Sequence, residues 1–120
     1  MPRDRLVLIH DAFEAAQKIT KFLSGKTFVD YDGDDLLQSG VERQFEIIGE
    51  ALNVARSVDP YLEEEITDLP AIVRTRNFLA HAYHSVINER LWHIAQQKLP
   101  LLISELRALL SQDPLEEDFL

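Results

Sequence analysis

The side chains best suited to catalysis are concentrated in one short segment of the chain, residues 76–84. They are Arg76, Asn77, His81, Tyr83 and His84. Arginine pairs bidentately with phosphate and can neutralise charge that builds up on it. Histidine titrates near neutrality, so it can both accept and donate a proton. This combination suits cleavage of a phosphodiester, above all in RNA, which carries its own nucleophile in the 2′-hydroxyl group.

The spacing of these residues is compatible with one small site on a helix. At about 100° per residue, Arg76 and Tyr83 share one stripe of the helix surface. Asn77, His81 and His84 share the adjacent stripe, which a long arginine side chain can reach. An arginine and a histidine five residues apart are also often solvated or merely hydrogen-bonded, so the spacing alone leaves a catalytic role open.

The composition is that of one globular domain without a thiolate site. The chain has 120 residues, of which 46% are hydrophobic and 28% are charged, and it contains no cysteine. These values are typical of a folded domain, and the lack of cysteine excludes disulfides and cysteine-bound metal. No stretch approaches the roughly 18 apolar residues of a membrane span. We therefore expect a cytoplasmic protein without a membrane span. No ligand set for a metal is apparent in the sequence, and no cofactor is expected.

The charge of the chain is unevenly distributed. The formal net charge of −9 argues against a general nucleic-acid binder, which usually presents a basic face. Between residues 70 and 100, however, Glu89 is the single acid, and three of the four histidines fall there. The fixed cations of this window are Arg74, Arg76, Arg90 and Lys98. The basic window thus coincides with the candidate catalytic segment, and Arg74 and His84 become candidate supporting residues.

Apolar residues at three- and four-residue spacing predict two helices in the first half of the chain. The first extends from Asp4, its N-cap, to Leu23, and Gly25 ends it. The segment from Gly25 to Gly33 is predicted to be a linker. The second helix extends from Asp34 to Ser57. It contains Gly49, which lowers helix stability by about 1 kcal/mol relative to alanine. Such a glycine either allows the close approach of another helix or is simply tolerated.

The second half predicts a short helical turn and two further helices. Residues 60–70 are acidic and form the turn and a loop. The third helix extends from Leu69 to Tyr83, and the fourth from Asn88, its N-cap, towards Leu110, with a kink or break at Pro100. The chain is therefore predicted to be all-α, an up-and-down four-helix bundle with a short extra helical turn. Residues 1–111 form the domain, and 112–120 form an acidic C-terminal tail.

The pattern Arg76-Asn77-x-x-x-His81-x-Tyr83 resembles the signature of HEPN-domain toxins in HEPN/MNT toxin–antitoxin systems, the HepT-like ribonucleases. The stretch from Arg43 to Ala51 resembles the second-helix motif of that family. The similarity extends in order from about Arg5 to Leu110. The resemblance implies a HEPN-like fold and a metal-independent endoribonuclease that acts through attack of the 2′-hydroxyl group.

The resemblance also implies roles for individual residues. His81 would be the general acid/base, Arg76 would stabilise the pentacoordinate phosphate, and Asn77 would support the arrangement. Family members form symmetric homodimers whose motifs face one cleft, so two basic windows would combine. The partner would be a minimal nucleotidyltransferase antitoxin that AMPylates Tyr83, and the RNA target, whether tRNA or mRNA, is left open.

Two other interpretations remain open. The chain could be a non-catalytic HEPN module that binds a nucleotide or a partner protein, with Arg76 and His81 as phosphate contacts. A dimeric helical scaffold without a site is the third possibility. Asn77 and Tyr83 favour the ribonuclease. Glu46 is a possible supporting residue that holds an arginine of the third helix. Alternatively, Glu46 is an exposed acid without a role, or it binds a cation together with Glu50.

Overall fold

The computed structural model describes residues 4–81 and 84–112, and all side chains within these ranges except those of residues 84 and 85. Every regular element in these ranges is an α-helix. The helices are α1 (Arg5–Leu23), α2 (Phe28–Asp32), α3 (Asp35–Val58), α4 (Leu62–Glu65), α5 (Leu69–His81), α6 (His84–Gln97) and α7 (Leu99–Gln112). The prediction of an all-α, HEPN-like bundle is confirmed.

Helices α1 and α3 are the most extensively packed pair of the bundle. Helix α1 also packs against α7, and α3 also packs against α5. Leu8, Ala12 and Ile19 are almost completely buried because they recur on one face of α1. The predicted ends are confirmed: the Asp4 side chain accepts a hydrogen bond from the Leu6 backbone N–H at 3.1 Å, and Gly25 has a positive φ of 75°.

The predicted linker between the first two long helices is wrong, because it contains α2. Thr27 and Asp30 form a capping box, in which each side chain accepts a hydrogen bond from the other residue's backbone N–H. Tyr31 is completely buried, with its ring centroid 5.9 Å from that of Trp92. Burial raises the pKa of the Tyr31 phenol above its ordinary value. Five residues are too few to show helical periodicity, so tertiary packing decides this element.

The other boundaries that fall on described residues agree with the predictions to within two residues, except at the start of α6. That helix begins at His84, four residues before Asn88, so Asn88 is not its N-cap. Asn88 is instead 2% exposed, and its Nδ2 donates to Asp32 Oδ1 at 2.9 Å, which ties α6 to α2. The predicted break is confirmed between α6 and α7, with Pro100 in the first turn of α7, where a missing N–H is tolerated.

Some predictions fall on residues that the structure does not describe. Tyr83, at the predicted end of the third helix, lies between the described ranges, and the acidic tail from Asp113 onward lies beyond them. The division into a domain and a tail therefore stays a prediction. Among the described helices, none has both the length and the apolar character needed to cross a membrane.

Candidate functional site

Helix α5 carries the candidate catalytic segment and is only partly packed into the bundle. Leu69 and Thr75 are its buried residues. Ile72, Val73, Phe78 and Leu79 are half-buried and pack against the core. Because one side of α5 anchors it, the rest of its surface is available for contact with a ligand.

Helix α5 packs closely against α3 at Gly49. A Cβ atom built on Gly49 would lie 3.2 Å from the Arg76 Cβ and 3.6 Å from the Val73 carbonyl oxygen. Of the two explanations that the sequence left open for this glycine, close approach of another helix is therefore the correct one. The contact fixes the position of the Arg76 backbone relative to α3.

The guanidinium group of Arg76 pairs with a carboxylate of α3. Its Nη1 lies 2.8 Å from Glu50 Oε2, and the two side chains are 50% and 58% exposed. Exposed pairs of this kind contribute at most about 1 kcal/mol, so this one orients the arginine more than it stabilises the fold. Glu46 lies beside Arg43 instead, at 3.4 Å. The carboxylate that holds the arginine is thus one turn further along α3 than expected.

Arg76 opens onto a shallow groove of about 360 Å³ beside α1 and α3. We call it the acidic groove. Its charged lining residues are Asp11, Glu46, Glu50, Arg43 and Arg76. Three carboxylates therefore share this groove with two guanidinium groups, and Glu50 pairs with Arg76 in the free protein.

The opposite side of α5 borders a larger groove of about 890 Å³, enclosed by α5, α6 and α7. We call it the basic groove. Its cationic and aromatic lining includes Arg74, Phe78, Arg90, His93 and Lys98, together with the amide of Asn77. Arg74, predicted to be a supporting residue, is therefore one of the cations that line this groove.

The predicted site residues are divided between the two sides of α5. Arg76 faces the acidic groove, whereas Asn77 lines the basic groove. His81 is exposed one turn beyond Asn77, at the end of the described part of α5. Within the described residues of one chain, the predicted convergence into a single pocket is therefore not observed. Tyr83 and the side chain of His84 lie outside the described residues.

Three groove residues were missed or misinterpreted in the sequence. The Arg90 guanidinium carbon lies 5.1 Å from the Phe78 ring centroid, a cation–π contact between α5 and α6. His93, which no sequence pattern marked as a site residue, is exposed on the basic groove. The excess of cations in the window was visible in the sequence, but the Phe78–Arg90 pairing depends on how two helices meet.

No group of three or more potential metal ligands occurs in the part of the chain that the structure describes. The Arg76–His81 segment thus offers a cation, an amide and an imidazole as its chemical groups. Such a set can bind a phosphodiester, neutralise its charge and transfer protons.

Comparison with known proteins identifies the family. The model of the ribonuclease HepT-like family matches residues 12–109. This chain belongs to the HepT-like ribonuclease family. It is also 29% identical over 116 residues to a Methanocaldococcus jannaschii protein named "Putative RNase MJ0127", with 92% of this chain and 91% of that protein covered. No solved structure matches the chain.

Within this HepT-like chain, the close approach of α3 and α5 can be tested with two glycines of the same helix. Alanine at either Gly40 or Gly49 gains about 1 kcal/mol of helix propensity. A Cβ at Gly40 would make an ordinary 3.5 Å contact with the Phe22 ring, whereas a Cβ at Gly49 meets Arg76 at 3.2 Å. We expect Gly40→Ala to raise the free energy of unfolding in urea, and Gly49→Ala to raise it less or lower it. Equal increases would show that α5 is not confined by Gly49.

Proposed function

We propose that this chain is a metal-independent endoribonuclease and the toxin of a HEPN/MNT toxin–antitoxin system. The observation that carries the proposal is the exposure of Arg76 and His81 on one helix whose backbone is fixed against α3. Membership of the HepT-like family and the RNase name of the archaeal relative support it. The basic groove beside the same helix offers a surface for a polyanion.

In the proposed reaction, His81 removes the proton of a 2′-hydroxyl group as general base. The 2′-oxygen attacks the adjacent phosphorus, and the bond from phosphorus to the 5′-oxygen breaks. A proton returns to that oxygen, so the products are a 2′,3′-cyclic phosphate and a 5′-hydroxyl group. Arg76 stabilises the charge on the pentacoordinate phosphate, and Asn77 orients the phosphodiester.

The ion pair between Arg76 and Glu50 suits this role. Because both side chains are about half exposed, the pair is screened by solvent and a dianionic transition state can displace the carboxylate. The arginine is thus held in place in the free enzyme and released to the substrate. Only a buried carboxylate would keep Arg76 neutralised at all times, and the Glu50 side chain is exposed.

Catalysis by these residues predicts specific losses. Arg76→Ala or His81→Ala should abolish cleavage of total RNA, at least about 100-fold, because each removes a group that acts on the reacting phosphodiester. The matched controls are Arg107→Ala and His10→Ala, exposed residues away from α5, which should cleave at the parental rate. Cleavage should persist in excess EDTA. Parental activity in either α5 variant, or activity in EDTA only after one divalent ion is restored, would contradict the proposal.

We further propose that the enzyme is a homodimer with the two α5 segments facing one cleft. A chain of net charge −9 has a single basic window, and a second copy doubles the cations at the cleft. Sedimentation equilibrium at micromolar concentration should give twice the chain mass of 13.8 kDa. A strict monomer that cleaves RNA would rule out a shared cleft.

The proposed antitoxin is a minimal nucleotidyltransferase that adds AMP to Tyr83. Each AMP attached through a phosphodiester adds one negative charge, which would compete with the substrate phosphate for Arg76. Incubation with such an enzyme and ATP should add AMP mass in intact-mass spectrometry. Tyr83→Phe should block the addition and stay toxic in the presence of the partner. Neutralisation without a change of mass would instead indicate inhibition by binding alone.

A further inference from the structure

We propose that the basic groove is a nucleobase site for single-stranded RNA, in which one unpaired base stacks on the Phe78–Arg90 pair. The proposal rests on the ribonuclease function above and names the form of RNA that the enzyme takes. It follows from three features of the groove: its free cations, its flat aromatic surface and its position beside the catalytic helix.

The charges of the basic groove are compensated at one end only. Lys98 Nζ lies 3.5 Å from Asp68 Oδ2. The Glu105 carboxylate accepts hydrogen bonds from the Thr67 backbone N–H at 3.1 Å and from its hydroxyl group at 2.9 Å. At the Asp68 end, the cation and both acids are therefore already engaged with protein groups.

The other end of the groove carries uncompensated positive charge. Among the described residues, neither Arg74 nor Arg90 forms an ion pair with a carboxylate, although both line the groove. Arg74 precedes Asn77 and Phe78 on α5, so this positive region leads towards His81. On a strongly acidic protein, such a region is where the phosphates of RNA are bound most favourably.

The Phe78–Arg90 pair provides a platform for a base. The guanidinium carbon lies 5.1 Å from the ring centroid, and Phe78 is anchored by packing against the core. Bases of single-stranded nucleic acids stack on aromatic rings and on arginine planes. The exposed Asn77 amide, adjacent to Phe78 in the chain, has a donor and an acceptor for the edge of a base. A groove of about 890 Å³ has room for a nucleotide.

These features favour unpaired RNA over a duplex. In an A-form helix the bases are stacked on each other, and their faces are not available to a protein. An unpaired nucleotide can turn its base into the groove while its phosphates follow Arg74 towards the catalytic segment.

The test uses short 2′-O-methyl RNA strands that contain 2-aminopurine at each position in turn. They cannot be cleaved, because the nucleophile is blocked, and 2-aminopurine fluorescence is quenched when the base stacks. Arg90→Lys keeps the charge but removes the plane, and Phe78→Leu keeps an apolar side chain but removes the ring. Both should weaken binding about tenfold and abolish the quenching. Arg107→Lys alters the equivalent pair with Phe13, 5.4 Å apart and outside the groove, and should change neither measurement.

Several results would overturn the proposal. One is binding of the strand without quenching, and another is an equal effect of Arg90→Lys and Arg107→Lys. A third is an RNA duplex that binds as tightly as the single strand. The fourth is loss of quenching at protein concentrations high enough for a second copy to cover the groove.

The two proposals fail separately. Quenching without cleavage of RNA by the parental enzyme refutes the ribonuclease alone. Cleavage with unchanged KM in Arg90→Lys and Phe78→Leu refutes the base site alone.

Discussion

The close packing of α3 on α5, where Gly49 meets Arg76, is the contact on which the candidate site depends. Without a side chain at Gly49, the α5 backbone lies close enough to α3 for the Arg76 guanidinium to reach Glu50. The same contact leaves the far side of α5 uncovered, where it forms a wall of the basic groove. A larger residue at position 49 would shift Arg76 and the groove wall together, since both belong to one rigid helix.

Helix α5 therefore separates two environments of opposite charge within an acidic protein. The carboxylates near the site lie on the α3 side and engage or surround Arg76. The free guanidinium groups lie on the α6 and α7 side. Because like charges repel over roughly a Debye length of 8 to 10 Å, the net charge of the whole chain matters less than this local division.

The long helices and the Pro100 break were predictable, because periodicity and caps are local properties of the sequence. Helix α2 was not, since its five residues are held by burial of Tyr31 against Trp92. The roles of Asn88 and Glu50 depend on partners distant in the chain. The family motif made Arg76, Asn77 and His81 the candidate residues, but adjacent stripes on α5 open onto different grooves. The stripes follow from sequence, whereas the grooves are set by the helices packed around α5.

The most direct test of the proposed chemistry is the identity of the RNA ends that the purified protein produces. If Arg76 and His81 promote attack by the 2′-hydroxyl group, the products carry a 2′,3′-cyclic phosphate and a 5′-hydroxyl group. A single 2′-deoxy substitution at the cleaved position should then block cleavage there. Products with a 3′-hydroxyl group and a 5′-phosphate, or undiminished cleavage at the 2′-deoxy position, would show that water is the nucleophile and contradict this account.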